Sequence, residues 1–172
     1  MRRCLVIFLT LILLWMLVAQ ANHLLAPWHV YLFAGGLFIT YPALAMPSRA
    51  GLAATLLAGL AMDAATPVPF GLHATLLATA HLLIFNIRDR VPRDDTITRV
   101  VVALLANLGV FLAFSFLEVT RNRAPGTAWP RLVFDLLCSQ AGIALIGPWF
   151  FALQAKSDAW VRPGRALAQD YE

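Results

Sequence analysis

Gly59-Leu-Ala-Met-Asp63-Ala-Ala-Thr-Pro67-Val-Pro69-Phe-Gly71-Leu-His73-Ala74 interrupts a long apolar region with an acid, a histidine, two prolines and two glycines. Pro67 and Pro69 have no amide hydrogen to give and turn the residues before them away from helix. Gly71 is open to dihedrals that side chains forbid. One helix therefore ends near Asp63 and the next begins near Gly71. In a chain surrounded by lipid such a break is stable only at headgroup level or under cover of protein or water. Two readings follow. One is a hairpin turn whose polar residues lie at the membrane surface. The other is a recognition or ligand site built on Asp63 and His73, since ionisable residues at membrane depth ordinarily have a role.

The region around this break is as apolar as its flanks suggest. The chain has 172 residues, 60% of them hydrophobic and 13% charged, with a mean hydropathy of +0.75. A soluble domain of this size could not cover so much apolar surface, so an all-α integral membrane protein is expected. The net charge of +4 does not point to nucleic acid, because the basic residues flank apolar runs and act there as topology anchors. Cys4 and Cys138 stand in separate apolar runs with no metal-ligating neighbour at close spacing, which makes them packing residues.

Working outward, the apolar runs divide into six expected spans: 5–21, 30–46, 51–62, 71–87, 100–119 and 132–153. The first follows Arg2-Arg3. It ends in Val18-Ala-Gln-Ala21, which has the small-residue pattern of a signal-peptidase site, but the run is long for a signal core and the rest of the chain is itself apolar. Trp28 and Tyr31 suit the membrane interface. Gly35-Gly36 permits close helix contact in the second span. The third run is too short to cross comfortably and is rich in Ala and Gly, which suits a crowded centre. Asp94 or Asp95 is placed to cap the fifth helix. Gly147-Pro148 predicts a kink in the sixth. Residues 156–172 form a polar tail expected to be loosely ordered on the membrane surface.

Lys and Arg counts orient these spans. With six spans and a cytoplasmic N-terminus, Arg2, Arg3, Arg49, Arg88, Arg90, Arg93, Arg99, Lys156, Arg162 and Arg165 lie inside, and Arg121, Arg123 and Arg131 outside, ten against three. A re-entrant third run would give six against seven. Both termini are thus expected in the cytoplasm.

This topology brings Asp63, His73, Glu118 and Asp135 to similar depth in the outer half. Glu118, close to Arg121, reads as snorkelling to the headgroups. Asp63 is too short to snorkel, and its nearest donor is His73 across the turn. Deeper, His81 lies about 9 Å and Asn107 about 10 Å above the inner face at helical rise, so the two are expected to hydrogen-bond between the fourth and fifth helices as interhelical glue.

No nucleophile elbow, paired His-Glu metal motif or phosphate-cradling loop is present in the sequence. Phe85-Asn-Ile-Arg-Asp89 superficially resembles an aspartyl motif of lipoprotein signal peptidases, but Arg88 replaces a small residue and the companion motif is missing. Asp63 and Asp135 could form an acid pair only if the fold brought them together. The sequence therefore points to no enzyme, no metal and no cofactor.

Asp63, then Pro69, Gly71, His73 and Ala74 at this spacing, resemble the signature of the MreD family of bacterial rod-shape-determining membrane proteins. Length, six expected spans and Pro148-Trp149 in the last also fit, whereas Met62 replaces the usual leucine and the tail is long. The resemblance implies a six-transmembrane-helix bundle similar to the substrate-binding components of energy-coupling-factor transporters. It also implies a non-enzymatic scaffold in the bacterial inner membrane. The partners implied are the bitopic protein MreC and, through it, MreB filaments and the RodA and penicillin-binding-protein synthases of lateral peptidoglycan synthesis. The alternative function is a small-molecule-binding membrane subunit of a vitamin transporter, with Asp63 and His73 in its pocket.

Overall fold

Each apolar run of the sequence contains a helix in the computed structural model, which describes residues 2–92, 95–121 and 129–161, and side chains in the second stretch as far as 117. The elements are α1 (Arg2–Leu25), α2 (Gly35–Ala45), α3 (Ser48–Ala65), α4 (Leu72–Ile87), α5 (Thr96–Arg121) and α6 (Trp129–Trp160), with short 3₁₀ turns at Ala26–Trp28 and Arg88–Arg90. Among the described residues there is no strand. Three helical stretches are long and apolar enough to cross a membrane: Arg2–Trp28, Thr96–Leu117 and Trp129–Trp160.

The helix at the centre is α2. Every residue from Gly35 to Leu44 is buried, and α2 packs on α3, α4, α5 and α6. A Cβ on Gly36 would collide with the Ala103 carbonyl of α5, and one on Gly51 with the Pro42 carbonyl of α2, so these glycines set how closely the helices approach. The small-residue helix α3 was expected in that centre. It instead presents one face to α1, α2 and α4, with Leu56 and Leu57 exposed on the other.

Two expected lengths change. The third span is not short: α3 has 18 residues, about 27 Å at helical rise. The second span is the truncated one. α2 has only 11 residues, about 16 Å, and residues 30–34 are non-helical. The five residues before α2 therefore extend the segment as irregular backbone rather than as helix.

The opposite end of the bundle is closed by an ion pair that the sequence reading missed. α6 continues beyond the expected boundary at residue 153 as far as Trp160. This carries buried Asp158 to Arg3, whose guanidinium bonds both carboxylate oxygens, at 2.7 and 2.8 Å. The Tyr41 hydroxyl lies 3.5 Å from the same carboxylate. α6 also runs through Pro148 as one helix. Asp95 caps α5, accepting from the Thr98 hydroxyl and from the Thr98 and Ile97 amides. Those bonds, the Thr98 hydroxyl first, hold its carboxyl below the usual range. Asp94, the Glu118 side chain, residues 122–128 and the tail beyond 161 lie outside the described residues.

Candidate functional site

A helix begins with four backbone amides that have no partner within it. At the start of α4 these belong to Gly71, Leu72, His73 and Ala74, since the first helical bond is Thr75 N–H to Gly71 O at 2.9 Å. Leu72 donates to the Pro69 carbonyl at 3.1 Å. The other three donate to one side chain on another helix. Asp63 Oδ1 accepts from the His73 amide at 2.9 Å, and Oδ2 accepts from the Gly71 and Ala74 amides at 3.1 Å each. The fourth contact is His73 Nδ1 at 2.8 Å from Oδ1. Nδ1 carries the proton in that contact, because an ionised carboxylate only accepts.

Each residue of the motif has a geometric reason. Asp63 and His73 are both buried, so an unpaired amide here would be costly. The carboxylate also places negative charge at the positive end of the α4 dipole. Gly71 sits at φ 94°, in the left-handed region that favours glycine. Pro69 supplies a carbonyl acceptor. Ala74 is small because Gly59 of α3 lies against it: a Cβ on Gly59 would stand 2.5 Å from the Ala74 Cα. α3 thus runs two residues past Asp63 to Ala65, and the carboxylate lies in its last turn.

A second non-helical stretch stands beside this turn. Asn22 of α1 brackets Leu32, accepting its amide at 2.7 Å and donating to its carbonyl at 2.9 Å. Asp135 accepts from the Tyr31 amide at 3.0 Å, and the Ser139 hydroxyl oxygen from the Phe33 amide at 2.9 Å. Asn107 accepts from the Gly36 amide at 3.2 Å. Non-helical backbone at this depth is stable because protein side chains replace the missing helical partners. The two stretches share the Phe114 ring, which stacks on Phe33 at 6.1 Å and on His73 at 5.2 Å between centroids.

Among the described members of the expected outer group, only Asp63 and His73 come together. Asp135 is committed to Tyr31, with Arg131 Nε 3.9 Å away, and makes no acid pair with Asp63. The expected bond between His81 and Asn107 is also absent. His81 Nδ1 lies 3.3 Å from the Thr55 hydroxyl of α3, and its Nε2 has no hydrogen-bond partner. Asn107 turns instead to Gly36 and to Gln140 of α6. α2 packs on both α4 and α5, and the two side chains turn to different helices, His81 to α3 and Asn107 to α2 and α6. Neighbours in sequence are not neighbours in space here.

Sequence reasoning missed Asn22, Ser139 and Phe114. A signal existed for one pair: Asp135 and Ser139, four residues apart on an apolar helix, share a face. Among the described residues no three His, Cys, Asp or Glu side chains gather as a metal would require. No family model, curated protein or solved structure matches the chain.

Proposed function

We propose that this chain is an MreD-like, non-enzymatic scaffold of the bacterial inner membrane. In this reading it binds an MreC-like bitopic protein through the Asp63–His73 turn. Through that partner it supports MreB filaments and the RodA and penicillin-binding-protein synthases in lateral peptidoglycan synthesis. Six spans with both termini cytoplasmic belong to the same proposal, and the ten-to-three distribution of Lys and Arg supports them. Labelling of Phe70→Cys from outside and Arg90→Cys from inside is the expected result, and labelling of both from one side would exclude this topology.

One observation carries the reading. Asp63, Pro69, Gly71, His73 and Ala74, the residues of the resemblance, join in one hydrogen-bonded unit that fixes the shape of a surface turn. The turn holds Phe70, 72% exposed, at its tip. A rigid turn with an exposed aromatic meets a partner with little ordering cost. The same geometry weakens the transporter reading, because four donors fill the acceptor sites of the carboxylate and leave none for a ligand.

Co-purification of an MreC-like partner tests the proposal. Asp63→Ala, His73→Ala and Gly71→Val are expected to reduce capture and disturb rod shape at normal membrane abundance. Ser139→Ala, which loosens the neighbouring stretch only, is expected to retain both. Unchanged capture and cell shape in Asp63→Ala would exclude the turn as the recognition element.

A further inference from the structure

At the basic end of the bundle, the first turns of α1 and the last turns of α6 enclose a cleft of about 400 Å³. Val6, Leu153, Lys156, Ser157, Trp160 and Val161 line it. We propose that this cleft is a binding site for an anionic phospholipid, with the phosphate at Lys156 and an acyl chain along Val6 and Leu153. The proposal does not depend on the partner reading above.

Charge and polarity both point to this occupant. Arg2, Arg3 and Lys156 face a single acid in the same two helix ends, Asp158, so three cations meet one anion. Asp158 is consumed by Arg3 in the two-bond pair, and the excess positive charge falls on Arg2 and Lys156. Among the described residues Lys156 forms no hydrogen bond or ion pair. The Ser157 hydroxyl donates back to the Leu153 carbonyl at 2.8 Å, which leaves the wall below Lys156 apolar. Trp160 is 84% exposed beside the cleft, as an interfacial aromatic is. Along α6 the apolar Leu153 comes first, Lys156 about one turn further out and Trp160 about one turn beyond that, so an apolar wall leads up to a basic and aromatic rim, as the chains of a phospholipid lead up to its headgroup.

The helix dipoles do not decide the matter. The amino end of α1 favours an anion and the carboxyl end of α6 opposes one, and the Val161 amide already closes on the Asp158 carbonyl at 3.2 Å. Side-chain charge is what remains. The Arg3–Asp158 pair gives the cleft fixed walls by tying α1 to α6, so the lipid meets a formed groove.

Thermal unfolding of the purified full chain in detergent, titrated with phosphatidylglycerol or with phosphatidylcholine of the same chains, tests the site. Phosphatidylglycerol is expected to stabilise at a concentration about fivefold or more lower, the factor for one basic side chain at an anionic surface. Lys156→Gln should abolish that preference and Trp160→Ala should weaken both lipids, while Arg90→Gln, a cation at the same end but outside the cleft, should leave the preference intact. Lys156→Arg should restore it, which separates loss of charge from loss of fold. Equal stabilisation of the wild type by the two lipids would overturn the proposal. So would an equal loss in Arg90→Gln, which would mean diffuse attraction, or the same gain from inorganic phosphate alone.

Discussion

The turn from Thr66 to Gly71 and the stretch from Val30 to Ala34 both leave helix, and Phe114 joins their surroundings by stacking on Phe33 in the stretch and on His73 just after the turn. They are held differently. In the turn, one carboxylate gathers three amides and an imidazole from within eleven residues of itself. In the stretch, Asn22 of α1 and Asp135 and Ser139 of α6 share the amides, and Asn107 of α5 takes the Gly36 amide at the start of α2 that follows. A concentrated device fails when one side chain is lost. A distributed device loses a part at a time, and it depends on the packing of the whole bundle.

Substitutions that remove those side chains should expose the difference. Asp63→Ala leaves four donors, three of them buried, without their acceptor and is expected to cost about 3 kcal/mol or more, measured by unfolding in mixed detergent. Ser139→Ala removes one acceptor of the distributed set and should cost about 1 kcal/mol. Equal costs for the two would erase the distinction.

The same contrast explains what was legible in the sequence. Pro67, Pro69 and Gly71 announce their break locally, and His73 is the nearest candidate partner for Asp63 across the turn, so the pairing is legible in the stretch from Asp63 to His73. Val30 to Ala34 contains no proline and no polar side chain other than the Tyr31 hydroxyl. Its break is imposed by residues up to 106 positions away, which no local pattern encodes. The His81–Asn107 expectation failed for a related reason: matching depth on two helices does not fix which way their side chains face, and His81 meets Thr55 of α3 while Asn107 meets Gly36 of α2 and Gln140 of α6. The Arg3–Asp158 pair was hidden because charged residues at chain ends read as solvated.

Glycines sharpen the comparison at smaller amplitude. Gly59→Ala places a methyl against the backbone of Ala74 and should cost about 1–3 kcal/mol by pushing α3 from the first turn of α4. Gly71→Ala meets no atom within 4 Å but keeps φ 94°, so only backbone strain of about 1–2 kcal/mol is expected. Gly109→Ala also meets open space, on an ordinary helix, and should be neutral or stabilise by up to about 1 kcal/mol. A reversal of that order in unfolding measurements would show that the α3–α4 contact is not tight.

Hydrogen exchange at single amides, in Asp63→Asn against the wild type, reaches the concentrated device itself. This substitution keeps the shape of the side chain but halves its capacity as an acceptor. Protection of the Gly71, His73 and Ala74 amides is expected to fall about tenfold or more, while Tyr31 and Phe33 keep theirs. Unchanged protection at 71, 73 and 74, or an equal fall at 31 and 33, would contradict the view that one carboxylate holds this turn.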